Sequence, residues 1–130
     1  NLSFRHLDIT TDPLPYSDMM MCRDCLFHLK NWLRWKVLEN FATSNSRYLM
    51  LTMHHVGMNT PVKVNGGFQR FNPTMAPFHL PTPLELINET ADGLADMTKG
   101  DHRSLGIWSH EQVAEALANR EETDPASVDG

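Results

Sequence analysis

The chain has 130 residues, of which 41% are hydrophobic and 21% charged, and it carries a net charge of −5. That length holds one domain with a real core. No apolar run approaches the ~18 residues of a spanning helix, which excludes such a helix. The acidity argues against nucleic acid as a partner, since phosphate binding needs clustered Lys and Arg.

The sequence starts at Asn1, without a Met and without a signal-peptide pattern. A trimmed chain, a processed product or a piece of something larger is the expectation from such a start. Leu2–Ile9 alternates loosely and predicts a short strand. Thr10–Ser17 is a turn-rich connector with Pro13 and Pro15, and Asp18–Cys22 reads as a buried strand ending in Arg23-Asp24. Cys25–Thr43 predicts one helix, because Leu26, Leu29, Leu33, Val37 and Phe41 recur at three- and four-residue spacing. Lys30, Arg34, Lys36 and Glu39 then decorate its outside, and Ser44-Asn45-Ser46 ends it. Arg47–Met53 is a second buried strand.

His54–Pro83 changes character, with Gly57, Gly66, Gly67 and five prolines. Val62, Val64, Phe68, Phe71, Met75, Phe78 and Leu80 give it apolar anchors, so an ordered excursion is expected rather than a disordered loop. Leu84–Glu89 starts a further strand, Thr90–Asp101 is a polar connector, and Leu105–Trp108 is a short strand. Ser109 caps the helix His110–Ala118, with Gln112 placed for a capping box. Residues 119–130 supply −3 of the −5 and are expected to form a solvated, disordered acidic tail after a single domain over 1–118. This order of strands and helices is an α/β pattern.

Several residues invite a chemical reading. Asp24 stands where a carboxylate at a strand's end borders a ligand, or it is an acid favoured by a helix N-terminus. Cys22 and Cys25 form C-x-x-C with His28 close by, but a zinc site needs a fourth ligand, which only His54 or His55 could bring from elsewhere. With two cysteines there is no disulfide framework, and a reducing, cytoplasmic setting is expected. His54-His55 follow a strand, where a general base can stand, yet no acid or nucleophile accompanies them, so loop or surface histidines are the plainer reading. Trp32 and Trp35 read as helix packing, Met19-Met20-Met21 as plastic core filling, and Gly66-Gly67 as a turn.

The wording Asp8-Ile9-Thr10, Asp12-Pro13-Leu14-Pro15, Asp18 and Cys22-Arg23-Asp24-Cys25-Leu26-x-His28-Leu29 resembles the third and fourth strands of class I S-adenosylmethionine-dependent methyltransferases. The likeness continues through Ser46-Arg47-Tyr48-Leu49, Asn59, Gly67–Asn72, Ala76–Leu84 and Leu105–Trp108. It implies a partial Rossmann-like sheet, with equivalents of strands three to seven of a sheet ordered 3-2-1-4-5-7-6, the seventh strand antiparallel. It implies that Asp8 and Ile9 meet the adenine, and that Asp24 and Arg23 border the cofactor and substrate. Asn59, Arg70 and Asn72 are matched to the substrate side. The family's Gly-rich turn and the acid that holds the ribose have no counterpart here. S-adenosylmethionine is therefore expected to belong to an intact parent, with none bound by this chain alone.

Two readings follow. In the first, the chain is the C-terminal half of a methyltransferase-like protein, inactive in isolation. In the second it is a non-catalytic association module. Without strands one and two, Asp18–Cys22 becomes a bare apolar edge. A homodimer or a complementing polypeptide is then expected at that edge.

Overall fold

A computed structural model describes residues 2–64, 66–89 and 103–120. In chain order it contains strand β1 (Met19–Cys22), a 3-10 turn at Leu26–His28, helix α1 (Asn31–Thr43), strands β2 (Tyr48–His54), β3 (Glu85–Asn88) and β4 (Arg103–Ser109), and helix α2 (His110–Ala118). The strands form one mixed sheet in the order β1-β2-β4-β3. β1 runs parallel to β2, while β4 is antiparallel to both β2 and β3. The α/β class expected from the sequence is thus the class observed. Among the described residues no helix is long and apolar enough to cross a membrane.

Strand alternation decides which residues make the core. Leu49, Leu51 and Met53 of β2 and Trp108 of β4 point to one face. There they join Trp35, Val37, Leu38 and Phe41 of α1, Val113 and Ala116 of α2, and Phe71, Phe78 and Leu80 of the excursion. The excursion is ordered as expected, though only some of its anchors are used. Val62, Phe71, Phe78 and Leu80 are buried, whereas Val64 and Phe68 are exposed. The opposite face carries Met19, Met21, Tyr48, Met50, Ile107 and Ile87, and Met21, Met50 and Ile107 stand in one cross-strand row.

Four expectations need correction. Residues 2–9 form no strand, and Leu2 and Phe4 are 90% and 91% exposed. Alternation alone does not make a strand where no neighbour accepts its hydrogen bonds. The helix expected from Cys25 begins only at Asn31. Leu29 and Lys30 are extended between the 3-10 turn and α1, a break the apolar spacing does not register. Arg34 is fully buried, not on the outside. Its Nε donates to Leu26 O at 2.8 Å, its Nη1 to Asn31 Oδ1 at 2.9 Å, and its guanidinium lies 4.4 Å from the Phe71 ring centre. It thus ties the 3-10 turn to α1 while stacking on the excursion. Finally, β1 is only partly buried, with Met19 40% and Met21 57% exposed, because it lies at the sheet's edge.

The C-terminal helix begins as read. Ser109 Oγ accepts from Gln112 N, and Gln112 Oε1 accepts from Ser109 N, completing a capping box. Gly66 has φ +91°, a backbone that glycine adopts without strain, at the turn read from Gly66-Gly67. The connector expected over 90–101 lies outside the described residues, and so does the tail expected over 119–130 apart from Asn119 and Arg120, of which Arg120 is not free in solvent but bonds Glu39 Oε1 at 2.6 Å and lies over the Trp35 ring.

Candidate functional site

The carboxyl ends of β1, β2 and β3 and the amino end of β4 lie at one end of the sheet, where open α/β sheets place ligands. The sequence puts charge there. Asp24 follows β1 with φ +55°, an uncommon conformation for a residue with a side chain. Its N–H donates to Thr52 Oγ1 at 2.8 Å, which holds the turn against β2. Its carboxylate receives Arg103 Nη1 at 2.9 Å from the start of β4, and Arg23 Nη1 stands 4.0 Å away. Arg23 Nε in turn donates to Glu89 Oε1 at 2.5 Å, just beyond β3.

The result is a chain of alternating charge, Arg103–Asp24–Arg23–Glu89, drawn from residues far apart in sequence. Glu89 both bonds Arg23 and opposes its charge, and so raises the guanidinium's proton affinity further. The Glu89 side chain is only 9% exposed, and its Oε2 is buried without a hydrogen-bond partner. His55, beside the cluster in sequence terms after β2, shares a 2.8 Å bond with Ser104 Oγ. Sequence reasoning found Arg23 and Asp24 but missed Glu89 and Arg103. Only their opposite charges at two strand ends hinted at the pairing.

The other matched residues sit elsewhere. Asp8 is exposed, and its Oδ1 accepts from both Thr10 N and Thr10 Oγ1, which lowers the carboxyl pKa below the usual value. Asn40 of α1 donates to Ile9 O and Asp12 O at 3.0 and 2.7 Å, fastening this loop to the helix. An open depression lined by Thr10, Thr11, Lys36, Glu39, Asn40 and Thr43 lies alongside. Among the described residues no hydrogen bond or ion pair joins this loop to the Asp24 cluster.

Asn59 and Asn72 staple the excursion together. Asn59 donates to Asn72 O and Ala76 O and accepts from Asn72 N, while Asn72 donates to Val56 O and accepts from Thr74. Arg70, near them in sequence, is exposed and has an interaction of its own.

The histidines and cysteines take structural places. His54 is buried at the end of β2, not on a loop or at the surface. Its backbone N–H donates to Phe71 O at 2.7 Å, and its Nδ1 accepts from Phe71 N at 3.0 Å. A nitrogen that already accepts a backbone N–H is not available as a base. His28 Nδ1 lies 2.6 Å from Gly67 O, which can only accept, so Nδ1 carries the proton and donates. Among the described residues no three His, Cys, Asp or Glu come together as metal ligands, so Cys22, Cys25 and His28 do not converge. Burial pushes the Cys22 thiol up to about 12, and burial also raises Cys25. Neither is the low-pKa thiol of a redox motif.

Comparison with known protein families, with curated proteins and with solved structures gives no match. The molecule is defined by what its fold shows: a small mixed α/β sheet with two helices and a charged cluster at one end.

Proposed function

We propose that the chain is the C-terminal half of a class I S-adenosylmethionine-dependent methyltransferase-like fold and does not transfer methyl groups by itself. The observation that carries this reading is the strand order. β1 parallel to β2, then antiparallel β4, then β3, is the order and direction expected of strands four, five, seven and six in a 3-2-1-4-5-7-6 sheet. The position of Arg23 and Asp24 at the carboxyl end of β1 agrees with it.

This reading assigns the matched residues to one wall of a cofactor site. Asp8 and Ile9 would border the adenine, and Asp24 and Arg23 would face the cofactor and acceptor from the sheet's end. Asn59 and Asn72 would shape the acceptor side through the loop they hold, with Arg70 beside them. The cofactor would supply the methyl group, and the wall here would only bind and orient. No Gly-rich turn follows a strand among the described residues, so the wall that approaches the methionine part is not formed by them.

Titration calorimetry of the 130-residue protein with S-adenosylmethionine should show no micromolar binding. At millimolar cofactor, backbone amide resonances of Ile9, Arg23 and Asp24 should shift. Micromolar affinity would overturn the claim of a half site. Shifts that are absent, or confined to other residues, would overturn the methyltransferase reading.

A further inference from the structure

We propose that His54 is an acid-sensitive latch: a proton taken up by its ring releases Phe71 of the excursion, while the grip of His28 on the same excursion persists. Two histidines hold this segment, and they hold it from opposite ends of a hydrogen bond. His54, 2% exposed at the end of β2, accepts from Phe71 N at its Nδ1, 3.0 Å away. Its own backbone N–H donates to Phe71 O at 2.7 Å, so ring and backbone together clasp one residue. A ring nitrogen that accepts carries no proton, and the latched ring is therefore a neutral imidazole protonated at Nε2 alone.

His28 works the other way. Its Nδ1 donates to Gly67 O at 2.6 Å, and Nδ1 keeps that proton when the ring becomes charged. The same turn accepts Gly66 N at His28 O and Gln69 N at Phe27 O, at 2.9 and 3.2 Å. Acid therefore leaves residues 66–69 in place, and charge on His28 strengthens its bond. At His54 acid has the opposite effect. Both nitrogens of the charged ring are donors, and neither can face the Phe71 N–H. Asn72 stays stapled to Asn59 and Val56, so the release is confined to residues 70 and 71.

The surroundings oppose a charge on the latched ring. It lies against the rings of Phe27 and Phe68, with centres 5.3 and 5.9 Å away. Arg103 stands opposite His54 in the β4 register, a cation in the cross-strand position. Arg34 of α1 stacks on Phe71, and the excursion adds Arg70. The turn adds His28 and the Cys25 thiol, which burial keeps neutral, and His55 follows on the same strand. Asp24 is the one carboxylate in this set, and Arg103 engages it. Once released, the ring meets water and titrates as an ordinary histidine, near pH 6.5. The released form thus binds a proton that the latched form does not, and release gains as pH falls through about 6.5.

Amide hydrogen exchange of the 130-residue protein, read by NMR at pH 7 and pH 5, separates these behaviours. Intrinsic exchange slows about 100-fold over that range. The Phe71 amide should slow by less than about tenfold, because proton uptake by the released ring favours opening about 25-fold. The Gly66 amide, held by His28 O, should slow the full 100-fold or so. Phe71 should also exchange at least about tenfold faster than Leu51 at both pH values, the mark of local release rather than unfolding. His54→Asn places a carbonyl oxygen where Nδ1 stands, accepts the same N–H and does not titrate. In that variant Phe71 should slow about 100-fold as well. His28→Asn keeps a donor toward Gly67 O and should leave the Phe71 response as in the wild type. If His54→Asn does not fold, ring nitrogen spectra of the wild type decide, with His54 Nδ1 bare and Nε2 protonated at pH 7. A wild-type Phe71 amide that slows about 100-fold, or that matches Leu51 in rate, would overturn the proposal. So would an undiminished response in His54→Asn, a response lost in His28→Asn, or a protonated His54 Nδ1 at pH 7. None of these outcomes depends on cofactor binding.

Discussion

Arg34 shows how a single residue can defeat a pattern. On helical spacing it joins Lys30 and Lys36 on a polar face, yet it is fully buried. The interrupted start of α1 explains this. Ending the 3-10 turn at His28 leaves the Leu26 carbonyl, which accepts Leu29 N, with a second lone pair for Arg34 Nε, and the excursion brings Phe71 beneath the guanidinium. Neither partner is visible in a periodicity window. Arg34→Ala should lower stability by about 3 kcal/mol, measured by urea unfolding, since buried partners lose their donor. Cys22 gives a second prediction at this scale. Its thiol is held neutral by burial, with a pKa of about 12 against an ordinary 9. The folded state therefore holds the proton more tightly than the unfolded chain. That contribution is complete below pH 9 and declines as pH rises toward 12. An alkaline unfolding series should show the decline, and Cys22→Ala should flatten it. At neutral pH, Cys22 should react with a thiol reagent only on unfolding.

Elements were legible where their signal is local. The capping box at Ser109 and Gln112 marks the start of α2 within the helix's own first turn. The short apolar runs of β1, β2 and β4 also lie where expected. Residues 2–9 were misread because a strand needs a neighbour, and pairing is not a property of one segment. β4 carries a further constraint that its apolar character hides. A Cβ on Gly106 would stand 2.4 Å from Trp108 Cη2 and 2.7 Å from Cζ3, on the helix side of the strand. The ring cannot retreat easily, since it is fully buried and its Nε1 donates to Pro81 O at 2.7 Å. Gly106→Ala should destabilise by about 2 kcal/mol in thermal or urea unfolding, with the usual preference for alanine over glycine in a strand outweighed.

For the molecule as a whole, the α/β class followed from the order of apolar runs, but the site did not. Arg23 and Asp24 were recognisable from wording around one strand end. Glu89 and Arg103 join them only because β3 and β4 deliver their ends to the same place, a consequence of sheet order. The excursion was recognisable as ordered because it carries apolar anchors. Which anchors dock depends on the helix surface they meet, and that surface is itself set by the break before α1. Asn59, Asn72 and His54 then close it by hydrogen bonds that no spacing announces.

The indole of Trp108 belongs to a strand, covers a glycine of that strand and hangs from a carbonyl of the excursion. It is therefore a built-in optical gauge of whether the excursion and the sheet are one thermodynamic body. Of the three tryptophans, Trp32 is half-exposed while Trp35 and Trp108 are buried. Trp35→Phe and Trp32→Phe together leave Trp108 as the sole emitter. Its emission should stay blue until the sheet's circular dichroism is lost, and then shift red in the same transition. An earlier red shift would mean that the excursion detaches first and the two parts melt as separate bodies.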